Sequence, residues 1–94
     1  MSERVSVKVT ISNRLGLHAR PAMCFVDAAN QFASSITVAR GGGGGQSVDG
    51  KSIMQMMMLA ATKGTELEII AEGADAAKAC EVLKKLVEGG FDEE

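Results

Sequence analysis

From Arg4 to Ile11 apolar and polar residues alternate. Val5, Val7, Val9 and Ile11 fall on one side, and Arg4, Ser6, Lys8 and Thr10 on the other. That period predicts a strand with one face buried and one wet, as in an antiparallel sheet covered on one side. Asn13 to Gly16 breaks the pattern. From about Ala19 to Phe32 the spacing becomes helical, with Ala22, Val26, Ala29 and Phe32 recurring on one face. Pro21 falls in the first turn, where a missing N–H costs little. Ile36 to Arg40 reads as a second strand, with Ile36, Val38 and Arg40 on one face and Thr37 and Ala39 on the other. Five glycines, Gly41 to Gly45, follow as a mobile hairpin loop into a short strand around Gln46 to Asp49. A short helix is expected over Ser52 to Ala60, and a last strand over Glu66 to Glu72 with Leu67, Ile69 and Ala71 inward. A final helix, Ala74 to Val87, carries an apolar stripe of Ala76, Ala79, Cys80, Leu83, Leu86 and Val87. Gly89-Gly90 stops it, and the acidic FDEE ending is expected to be loose.

The order βαββαβα with strands buried on one face places the helices together on that face, an α+β two-layer sandwich. At 94 residues the chain fits one domain, residues 1–94. The net charge of −2 lacks the basic excess of a nucleic-acid binder, and three phenylalanines with no Trp or Tyr offer no base-stacking platform. No apolar run resembles a secretory signal or approaches the ~18 residues of a membrane span, so a cytoplasmic protein with no membrane insertion is expected. Cys24 and Cys80 lie within the two long helices and are expected as buried free thiols. One histidine and two scattered cysteines do not make a metal site.

His18 is the sole histidine, at the junction between Gly16-Leu17 and the first helix. A helix start presents unpaired N–H groups and the positive end of the macrodipole, a ready anion site. Arg20, two residues on, adds fixed charge and a forked donor. A nucleophilic imidazole therefore stands where a phosphate could be held. The plainer alternative is a histidine that caps the helix, with Arg20 a solvated charge. Ser52 precedes a helical run with Gln55 three residues on, the capping-box spacing. It can be a helix cap, a phosphorylation site, or both. Met54, Met56, Met57 and Met58 cannot all face inward from so short a helix, so part of the group is expected at the surface as an adaptable contact. Gly45-Gln46-Ser47-Val48-Asp49-Gly50-Lys51-Ser52 matches the P-loop pattern letter for letter. A P-loop belongs in a parallel α/β sheet with an acidic residue ending a neighbouring strand, and the half-wet strands here argue against nucleotide binding.

The stretch Leu15-Gly16-Leu17-His18-Ala19-Arg20-Pro21-Ala22 resembles the active-site signature of the HPr family, the histidine-containing phosphocarriers of the bacterial phosphotransferase system. Lys51-Ser52-Ile53-Met54 is similar to that family's regulatory serine segment, and Ala61-Thr62-Lys63-Gly64 to the turn before its last strand. The resemblance covers nearly the whole chain. It implies an open-faced β-sandwich, a four-stranded antiparallel sheet with three helices on one face. It also implies that His18 accepts phosphate on Nδ1 from phosphorylated enzyme I and passes it to a histidine or cysteine of an enzyme II component such as an enzyme IIA. Arg20 would neutralise the phosphate, Ser52 would be the target of the HPr kinase/phosphorylase, and Ala19, Met54 and Met57 would touch partners. Such a protein is a stoichiometric carrier, a monomer needing no cofactor or metal. The glycine run departs from the family's hairpin. The segment VDGKSIMQMMMLAA and the ending GFDEE look more like the nitrogen-related branch of the system than the sugar-transport branch. The alternative is a regulatory binding module, switched by Ser52 phosphorylation, that docks other proteins on the Met54/Met57 surface.

Overall fold

A computed structural model describes residues 3–41 and 47–92. The elements are β1 (Glu3–Thr10), α1 (Ala19–Ala29), β2 (Ser35–Arg40), β3 (Ser47–Asp49), α2 (Ile53–Met58), β4 (Glu66–Gly73) and α3 (Ala76–Glu88), followed by a 3₁₀ turn, Gly90–Asp92. The expected order βαββαβα is the one observed. Of the glycine run, residues 42–45 lie outside the described residues, as does Gln46 at the expected start of β3.

The strands form one antiparallel sheet in the order β1-β4-β2-β3. Residues of one parity make the core: Val9 from β1, Ile36 and Val38 from β2, Val48 from β3, and Leu67, Ile69 and Ala71 from β4. On the other face Arg4 stands opposite Glu72 and Lys8 opposite Glu68, a wet surface of facing opposite charges. The helices cover the apolar parity, which is the α+β open sandwich expected. The antiparallel β2–β3 pairing also removes the parallel frame that a P-loop needs.

Helix α1 buries Pro21, Ala22, Phe25 and Ala29. It stops at Ala29, short of the expected Phe32. Beyond it the backbone tightens to i→i−3 bonds, Gln31 N–H to Ala28 O and Phe32 N–H to Ala29 O. The Asn30 amide donates to Val26 O, and Lys51 Nζ reaches across to Phe32 O at 2.7 Å. Cys24 departs from expectation. It is exposed, because residues 22, 25 and 29 define the inward stripe and position 24 points away from it. Cys80 is buried as expected. Its thiol donates to Val5 O, and burial raises its pKa.

Helix α3 buries Ala76, Ala79, Cys80, Leu83 and Val87. Asp75 precedes it, yet its carboxylate does not cap the helix. It accepts instead from the amides of Ala33 and Ser34, each at 2.9 Å, and from the Ser34 hydroxyl. The ending is not wholly loose as expected: Phe91 turns at φ +58° and is 3% exposed, packed into the core. Ser12 Oγ donates to Glu88 O beside it.

Candidate functional site

His18 is the N-cap of α1, extended at φ −88° and ψ −171°, with its carbonyl accepting the first helical bond from Ala22 N–H. Helix geometry leaves the Ala19 and Arg20 amides without an intrahelical acceptor, and Pro21 has no N–H. The imidazole is half-buried, and Ala19 and Arg20 are exposed. The half-buried ring thus sits at the positive end of the α1 dipole, with an exposed arginine two residues on.

The loop that delivers His18 is braced on three sides. Asn13 is buried, and its Nδ2 donates to Gly16 O at 2.7 Å. Gly16 N–H returns to Asn13 O. Leu17 N–H donates to Ala61 O at 2.8 Å, which straps the loop to the segment after α2. Gly16 sits at φ +72°, and a Cβ there would lie 2.6 Å from Ala61 O and 2.8 Å from Thr62 Cα. Only glycine allows this approach. Asn13, Gly16 and Ala61 were not among the expected site residues. Gly16 stood in the motif, but its reason lies in a backbone contact with a segment distant in sequence.

Ser52 is the N-cap of α2, and its Oγ accepts from Gln55 N–H at 3.3 Å. The expected capping box closes on one side only, since Gln55 Oε1 accepts from Asp49 N–H and not from Ser52. On α2, Met56 is fully buried while Met54, Met57 and Met58 are exposed, dividing the methionines as their spacing anticipated. Leu15 and Met23 add exposed apolar side chains on the His18 loop and on α1.

Helices α1 and α2 pack against each other in opposite directions. The chain just after α2 is strapped to the start of α1 through Ala61 and Leu17. The chain just before α2 touches the residues after α1 through Lys51 and Asn30. His18 and Ser52 therefore lie toward opposite ends of α1, about 16 Å of helix apart. They are not one cluster. Among the described residues no group of three or more His, Cys, Asp or Glu could hold a metal ion. No helix of the described residues is long and apolar enough to cross a membrane.

Comparison with known proteins follows the same lines. The family model described as the PTS HPr component phosphorylation site matches residues 5–89. The chain is 46% identical over 85 residues to phosphocarrier protein HPr of Neisseria meningitidis, covering 90% of this chain and 92% of the relative. It is 40% identical over 87 residues to phosphocarrier protein NPr of Proteus mirabilis, covering 93% and 94%. The crystal structure of an HPr from Thermoanaerobacter tengcongensis superposes with a TM-score of 0.87 at 40% identity, covering 96% of this chain and 98% of that one. An HPr dimer from the same organism superposes with a TM-score of 0.72 at 40% identity, covering 93% and 97%.

Proposed function

This chain belongs to the HPr family of phosphocarriers, and on that premise we propose that His18 takes a phosphoryl group from phosphorylated enzyme I and hands it to an enzyme II component, such as an enzyme IIA. The observation that carries the reading is the placement of a half-buried imidazole as the N-cap of α1, on a loop braced through Asn13, Gly16 and Ala61. The Nδ1 lone pair attacks phosphorus in line with the departing nitrogen of the donor. One P–N bond breaks as the other forms, so neither metal nor nucleotide is required on this chain. The Ala19 and Arg20 amides and the Arg20 guanidinium receive the phosphate oxygens, whose charge the helix dipole also favours. Positioning and fixed charge supply the catalysis.

Partners dock on the face that includes Ala19, Met54 and Met57. Ser52 is the target of the HPr kinase/phosphorylase. A phosphate on Ser52 adds about −1.5 to −2 charge beside Met54. It lies the length of α1 from the imidazole, so its effect runs through docking and not through repulsion at His18. The protein works in the cytoplasm as a monomer. Relatives named HPr, at 46% identity, and NPr, at 40%, both resemble the chain, and the chemistry is the same in either branch.

Incubation with phosphoenolpyruvate and enzyme I tests the reading. The wild-type chain should gain one acid-labile phosphate by intact mass, and His18→Ala none, with its thermal midpoint nearly unchanged. Arg20→Ala should accept phosphate more slowly, and Arg20→Lys only partly recover the rate. Acid-labile phosphate on His18→Ala would remove His18 from the reaction.

A further inference from the structure

Three thioethers stand together in the open. Met54, Met57 and Met58 follow the i, i+3, i+4 spacing that puts side chains on one helix face, and they are 78%, 41% and 65% exposed. Met56, on the same six-residue helix, is fully buried and holds α2 to the core. Exposed thioethers are open to two-electron oxidants, and a buried one is shielded. The helix thus separates its methionines into one that the fold needs and three that it does not.

We propose that Met54, Met57 and Met58 form an oxidation site, at which conversion to sulfoxide by a peroxide-class oxidant uncouples the protein from its phosphoryl donors and acceptors while leaving the fold intact. The proposal rests on the phosphocarrier reading and adds a regulator to the docking face. In the step, a sulfur lone pair attacks the near oxygen of hydrogen peroxide. The O–O bond breaks, an S–O bond forms, and the two peroxide protons leave with the far oxygen as water. The sulfur is oxidised by two electrons and the peroxide reduced. An apolar thioether becomes a strong dipole and hydrogen-bond acceptor. A partner that seats apolar surface there must then bury an unpaired polar group. A methionine sulfoxide reductase with a dithiol as reductant returns the thioether, giving disulfide and water, so the modification is reversible.

The exposed thiol of Cys24 and the exposed thioether of Met23 would also consume peroxide, so the test uses a Cys24→Ser, Met23→Leu background. The protein is treated with hydrogen peroxide, cleared with catalase, mapped by peptide mass, and then assayed with phosphoenolpyruvate and untreated enzyme I. Met54, Met57 and Met58 should oxidise ahead of Met56, with the circular dichroism melting curve retained. The KM of enzyme I for the carrier should rise roughly fivefold or more, with kcat little changed, and sulfoxide reductase should restore it. In the triple variant Met54→Leu, Met57→Leu, Met58→Leu, the ratio of treated to untreated rate should stay near one, whatever its starting rate. A triply oxidised protein with the untreated KM overturns the proposal. So does an equal loss in the triple variant. Untreated protein that takes no phosphate overturns the phosphocarrier reading, and this proposal falls with it.

Discussion

Gly16 shows how much of the site rests on one missing atom. Its backbone is left-handed, and the atoms that a Cβ would strike, Ala61 O and Thr62 Cα, belong to the main chain and cannot swing aside. In Gly16→Ala the loop must leave the strap or carry the strain. The variant should lose about 1–3 kcal/mol of stability by urea titration. It should also lose phosphoryl transfer mainly in kcat, since the imidazole is displaced while the α2 face is not. A Leu17 amide resonance unchanged from wild type would show that the bond to Ala61 O survives. Residue type alone misplaces other side chains at this scale. Cys24 was expected inside because cysteines usually are. Phe25, fully buried, was left off the inward stripe in favour of Val26 and Phe32, which are only half-buried. A register of 22, 25 and 29 fits a helical face as well as 22, 26 and 29 does, and packing against α2 and α3 decides between them.

At the scale of elements, most ends are set by groups from elsewhere in the chain. Asp75 is the clearest case: it stands where a cap belongs but holds the loop between α1 and β2. The Ser34 hydroxyl first, then the Ala33 and Ser34 amides, keep its carboxyl below the ordinary value of 3.8. A carboxyl depressed by folding stabilises the fold above its unfolded-state value and ceases to do so as pH falls through the folded value. Wild type should therefore lose this contribution on acidification below pH 3.8. Asp75→Asn, with one acceptor oxygen and an amide facing donors, should melt lower at neutral pH and show a shallower acid limb. Parallel melting curves against pH for the two proteins would exclude the clamp. The positions of β1, β2, β4 and α3 were legible to within two residues, because apolar period is a property of each segment. The early stops of α1 and α2 were not. They depend on Lys51 reaching Phe32 O and on Ala60 turning to φ +48° before the strap at Ala61, contacts that no local pattern contains.

For the whole molecule, the layer arrangement followed from one-sided strands, and the His18 motif pointed to the candidate site at the start of α1. The pairing order of the sheet and the buried ending had no comparable signal. Phe91 looked like part of an acidic tail, yet it closes the core next to the His18 loop, with Ser12 tied to Glu88 beside it. Phe91→Ala should cost about 3–5 kcal/mol in denaturant midpoint analysis, a large part of the stability of a domain this size. A loss under 1 kcal/mol would mean that the ending is loose in solution. The order β1-β4-β2-β3 also places the first strand to be made beside the last. At about 5–20 residues per second, the ribosome needs roughly 3–11 s to go from Thr10 to Glu66. Through those seconds Val5, Val7, Val9 and Ile11 have no β4 to pair with, and α3 does not yet exist to cover them. The nascent chain thus carries an adhesive strand whose apolar side chains and open edge stay unpaired until β4 and α3 emerge.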